Sequence, residues 1–283
     1  MPYRPDSPEP ETSSHGFFGE LNVLVSLISG KEKSPIPTPQ SVRESWFLLS
    51  LAAVMLTAVY YISRFNGLNI LVHHSAWLGL DNLSKQIRDL PFDDYQLVNL
   101  VWWAVFTILG YLGLPLVWSI VAGQSLLDNL GWRFGKTRRH VPIYGVMALI
   151  MALVLAWATR QPEFLDRYPF YQIPAKVDLW PRFFLWELFY LLQFIALESF
   201  FRGFLLYRLA NSLGSLAVPV AMVPYCMIHF GKPAPEAFAS ILAGLGLGLM
   251  SLQTRSIWPG ALLHMSVAIT MDIASLIHQG RWS

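Results

Sequence analysis

Long apolar runs separated by short polar breaks organise this chain. The runs cover about Trp46–Ser63, Leu97–Ala122, Val141–Thr159, Phe183–Leu209, Leu213–Phe230, Glu236–Gln253 and Ile257–His278. Apolar stretches of about 18 residues or more have the length of transmembrane helices. The pattern therefore predicts an all-α, polytopic transmembrane helix bundle of about seven spans. The count is open by one, because Arg64–Tyr95 mixes a moderately apolar Leu68–Leu80 with a charged Asp81–Asp94. That stretch reads as a loop with a short interfacial helix.

Ahead of the first span, Met1–Ser14 reads as a disordered tail rich in Pro, Glu and Ser. Phe17–Ser29 is too short to span and is followed by Lys31 and Lys33, which predicts an amphipathic helix lying on the membrane. Ser34–Pro39 is a Pro-rich linker. The expected organisation is thus residues 1–45 as tail, surface helix and linker, and 46–283 as the transmembrane domain. Residues 1–16 lack an apolar h-region, so no cleavable signal peptide is expected. With no sorting signal visible, the expected location is a prokaryotic cytoplasmic membrane.

Composition agrees: 54% of residues are hydrophobic and 13% charged, against about 25% charged in soluble domains. A net charge of +2 and the lack of a basic, aromatic-interleaved run exclude a nucleic-acid binder. The single cysteine, Cys226, excludes an internal disulfide and a Cys-rich metal site. Charge also orients the chain. Gly131–His140 carries Arg133, Lys136, Arg138 and Arg139 without an acid, which predicts a cytoplasmic loop. Alternation over seven spans then places the N-terminus inside and the C-terminus outside. Gly231-Lys-Pro-Ala-Pro235 is a helix breaker. Ser240, Gly244 and Gly248 form a small-residue ridge that predicts close helix packing.

Against this background the stretch Ile195–Arg208 stands out, because it sets Glu198 and Arg202 inside an apolar run. A charged group at the centre of a spanning helix costs roughly 2.5–3.5 kcal/mol on insertion scales, so it faces a protein interior. Downstream, His229 and His264 interrupt two further apolar runs. At about 1.5 Å per residue, Glu198 lies roughly 15–18 Å from the end of its span, His229 about 24 Å into the next, and His264 roughly 10–12 Å into the last. Those depths allow the three to share one layer. A Glu beside a His can hold a water and take its proton, and a second His can donate to the oxyanion that forms. The same three side chains with a water could instead hold zinc, although no His-Glu-x-x-His motif is present. Glu198 and Arg202, four residues apart, also suit a structural ion pair. Glu187 reads as interfacial, and Lys232 as part of a solvated loop, with binding of a carboxylate or headgroup as its alternative.

Three short motifs point further. Leu197-Glu-Ser-Phe-Phe-Arg-Gly-Phe-Leu205, Tyr225-Cys-Met-Ile-His229 and Gly260-Ala-Leu-Leu-His264 occur in that order. They resemble the motifs of the CAAX-protease and bacteriocin-processing (Abi) family of intramembrane proteases, which includes the type II CAAX prenyl endopeptidases. The resemblance covers about residues 120–275. It implies an intramembrane endopeptidase acting on a peptide or membrane-protein tail, with lipid as its surroundings and without a bound metal. It implies Glu198, His229 and His264 as catalytic residues and Arg202 as a supporting one. Two positions depart from the family pattern: Leu197 replaces the first Glu of the first motif, and Ala268 replaces the Asn of the third. Either Glu198 takes the base role, or the chain is a catalytically inactive membrane scaffold of the same fold. Asp272, two turns beyond His264, is the residue on hand to compensate for Ala268. A small-solute transporter is a third, weaker reading.

Overall fold

The computed structural model describes residues 25–26, 28–29, 35–63, 66–135, 137–173 and 178–281. The expected tail, most of the surface helix Phe17–Ser29, and Lys136 lie outside these. The described residues form helices and no strand. They are α1 (Pro39–Ser63), α2 (Asn66–His73), α3 (Asp81–Arg88), α4 (Phe92–Ile108), α5 (Leu114–Val121), α6 (Leu126–Asn129) and α7 (Thr137–Ala158). There follow α8 (Pro162–Arg167), α9 (Arg182–Glu198), α10 (Leu206–Leu213), α11 (Ala217–Met227), α12 (Ala234–Thr254) and α13 (Trp258–His278).

Six of the described helical stretches are long and apolar enough to cross a membrane. This is an integral membrane protein. The difference from seven lies in Arg182–Met227, a continuous helical stretch of 46 residues that takes in two of the expected spans. Within it α10 ends at Gly214, which adopts φ 56°, ψ −135°, a conformation open to glycine. After a short 3₁₀ turn, α11 has 11 residues, about 16 Å of helix. That is shorter than the ~30 Å hydrocarbon core, so the fifth apolar run forms a short helix set off from α10 by the turn at Gly214. Hydropathy also misplaced the first boundary. Thr38 caps α1 by accepting from the Ser41 amide at 3.1 Å, while the Thr38 amide donates to Ser41 Oγ at 3.0 Å. With Pro39 at the first helical position, this reciprocal cap starts the helix seven residues before Trp46. Arg64–Tyr95, expected as a loop with one short interfacial helix, is more helical than that: its described residues hold α2, a 3₁₀ turn, α3 and the start of α4.

The chain divides into two compact units. The first holds the described residues up to Ala52, Pro115–Val154 and Glu198–Leu263, and the second holds the remainder. In the first unit α11 packs along α12, and the small-residue ridge is the reason. A Cβ on Gly244 would stand 2.8 Å from Met222 Cγ, and one on Gly248 2.9 Å from Val218 Cγ1. The ridge is therefore a packing device. Elsewhere in this unit, buried Arg208 donates to Glu44 Oε1 at 2.7 Å, to Asn129 Oδ1 at 3.0 Å and to Gln124. These bonds tie α1 and α6 to α10. Arg208→Met keeps the volume but loses the charge-assisted bonds, and an expected loss of about 1.5 kcal/mol should appear in detergent unfolding curves.

The second unit is built on aromatic residues. Trp186 and Tyr190, four apart on α9, stack with centroids 4.8 Å apart, and Trp103 stacks on Trp186 at 5.9 Å. Phe194 follows one turn later, 5.2 Å from Tyr190. Ala268 is buried in the same cluster.

Candidate functional site

Glu198 is the last residue of α9, and its helix changes character immediately after it. Ser199–Leu205 is π-helical and buried throughout. π-turns are rare and concentrate at functional sites. This one is held from outside: Trp132 Nε1 donates to Ser199 Oγ at 2.8 Å, and Gly203 lies directly on the Leu130 backbone. The loop that supplies those contacts is itself anchored to the start of α13. Ile257 donates its amide to the Gly131 carbonyl at 3.0 Å, and Trp258 Nε1 donates to the Trp132 carbonyl at 2.6 Å.

The π-segment carries Arg202, whose Nη1 lies 2.9 Å from Glu198 Oε1. Both side chains are almost fully buried, 1% exposed for Glu198 and 2% for Arg202. A charge buried to this degree requires a partner, so the predicted ion pair is present. Tyr225 backs it from α11, with the guanidinium carbon 3.9 Å from its ring centroid. Such stacking holds a guanidinium in one orientation. A cavity of about 10 Å³, the size of a single water, lies beside Arg202 and is lined also by Tyr225, Met222 and Gly244.

His229 follows one turn after Tyr225, in the turn that ends α11. Its ring lies 4.9 Å from the Tyr225 ring, and its Nδ1 is 2.9 Å from the Tyr225 carbonyl oxygen. A carbonyl only accepts, so Nδ1 is the donor in this bond. Tyr225 is thus the common neighbour of Arg202 and His229. The sequence reading gave it no role, although an aromatic one helical turn before His229 was a visible signal. Lys232, expected in a solvated loop, is instead partly buried and paired to Glu236 at 2.5 Å, where it closes the turn onto α12.

His264 and Asp272 belong to the second unit. His264 stacks on Phe194 with centroids 5.6 Å apart and planes 26° apart, at the end of the aromatic series of α9. Asp272 is fully buried and interacts with Glu187. Glu187 is not interfacial as expected: it is 5% exposed, because its α9 position turns it towards α13 within this unit. Among the described residues, no three His, Cys, Asp or Glu side chains gather closely enough to hold a metal ion.

Residues 179–270 match the Rce1-like family, type II CAAX prenyl endopeptidase Rce1-like. This is the family grouping that the three motifs resemble. The matched segment contains Glu198, Arg202, His229 and His264 and stops short of Asp272. No curated protein and no solved structure matches the chain.

Proposed function

We propose that this chain is an intramembrane endopeptidase that hydrolyses a peptide bond in a peptide or membrane-protein tail, in a prokaryotic cytoplasmic membrane. The observation that carries the reading is the Glu198–Arg202 pair, buried in a family-matched segment and joined through Tyr225 to His229. In this reading Arg202 keeps Glu198 ionised, as a proton acceptor must be, and His229 is a second candidate for that role. In the proposed reaction a water gives one proton to Glu198 while its oxygen bonds to the substrate carbonyl carbon. The carbonyl pair moves onto oxygen, and the role implied for His264 is to donate a hydrogen bond to that oxyanion. Collapse re-forms the carbonyl and breaks the C–N bond. The leaving nitrogen takes the transferred proton, giving one carboxyl and one amine product. Asp272 acts in this reading as the partner of Glu187, supporting the second unit.

The test compares membrane proteomes from cells carrying wild type, His229→Ala, or no protein. A tail fragment made by wild type and missing from both others is the expected result, and it would identify the substrate and show whether that substrate is prenylated. The scaffold reading is favoured by Leu197 and by Ala268, which is packed among aromatic rings. It predicts that wild type and His229→Ala resemble each other and that both differ from the null.

A further inference from the structure

Gly260 is the third residue of α13, and its missing side chain has a specific neighbour. A Cβ built there would stand 2.9 Å from Glu198 Oε2 and 3.4 Å from its Cδ, with Leu247 Cδ2 next at 3.7 Å. Real Cβ atoms do not approach a carboxylate oxygen so closely, so any larger residue must displace the Glu198 head group. The other oxygen, Oε1, is the one tied to Arg202. The carboxylate is therefore held at both ends: Arg202 draws one oxygen, and a notch in the first turn of α13 receives the other.

We propose that Gly260 is a positioning residue for Glu198, and that its notch sets the angle at which the carboxylate is presented. This rests on the peptidase reading for its chemistry, but the notch itself is independent of it. Oε1 faces the Arg202 guanidinium at 2.9 Å and Oε2 faces the Gly260 backbone, so the carboxylate plane is fixed from two sides. A methyl group at residue 260 pushes Oε2 away and rotates the carboxylate about its bond to the chain. Misplacing a reacting group by about 1 Å lowers turnover about 100-fold.

Four full-length proteins decide the matter: wild type, Gly260→Ala, Glu198→Ala and the double variant. Each is melted in detergent and assayed on a quenched fluorescent peptide ending in an S-prenylated cysteine and three further residues. Gly260→Ala should lower the melting temperature in the wild-type background and hold or raise it in the Glu198→Ala background, where the methyl meets no carboxylate and replaces a helix glycine. Its turnover should fall, by at most about 100-fold because the overlap to be relieved is under 1 Å, with KM unchanged, a split that a general packing defect would not give. An equal melting loss in both backgrounds, or none in either, overturns the inference, as does unchanged turnover in an active enzyme. If Gly260→Ala does not fold, recovery of folding in the double variant supports the notch, and continued failure overturns it. Coupled melting shifts with no turnover by wild type would leave the notch standing and remove the peptidase reading.

Discussion

Glu198→Gln should lower peptide cleavage by about 10²–10⁴-fold, the range associated with a general base, and should also destabilise the protein. The second effect comes from Arg202. Its guanidinium is buried with Glu198 Oε1 as its ion-pair partner, and removing one member of a buried pair leaves an uncompensated charge at about 3–5 kcal/mol. The two effects are separable. Glu198→Gln combined with Arg202→Met removes both charges and keeps the volume, so stability should return while cleavage stays lost. Thermal unfolding and turnover of the single and double variants, measured side by side, check this. If cleavage returned together with stability, Glu198 would be a structural acid and the base would lie elsewhere.

Gly203→Ala should be among the most damaging single-methyl additions in the chain. A Cβ there runs into the backbone of Leu130, meeting its carbonyl oxygen and carbon rather than a side-chain tip that could swing aside. Overpacking costs about 1–3 kcal/mol, and the upper end applies when the obstacle is backbone. Damage should reach the site, because Gly203 belongs to the π-segment that carries Arg202. Gly145→Ala provides the contrast. Its Cβ would meet nothing within 4 Å, and in a helix interior the change should stabilise by about 0.5–1 kcal/mol. Melting temperatures that fall for Gly203→Ala and hold or rise for Gly145→Ala are the expected pattern.

Much of this was readable along the chain, and the reasons are physical. A hydrocarbon-length apolar run has few alternatives to a membrane helix, so the class of the protein and most of its helices followed from hydropathy. Glu198 and Arg202 were conspicuous because charge inside such a run demands a partner, and a four-residue spacing on a helix supplies one. His229 and His264 were found in the same way, as polar breaks in apolar segments. Boundaries were less legible: the cap at Thr38 and the glycine conformation at Gly214 are local hydrogen-bond and dihedral events that leave hydropathy unchanged.

What tertiary structure alone decided concerns which surfaces meet. Hydropathy cannot distinguish an α-helical turn from a π-turn, because that choice at Ser199–Leu205 accompanies the contacts of Trp132 and Leu130, distant in sequence. The burial of Glu187 against Asp272, the stacking of Arg202 on Tyr225, and the notch at Gly260 likewise arise where separate helices touch. The sequence alone determined a membrane helix bundle and the acid, base and histidines available to it. Packing between helices determined which oxygen of Glu198 meets Arg202 and which meets Gly260, because the short-range contacts that set an orientation have no counterpart in a one-dimensional pattern of polarity.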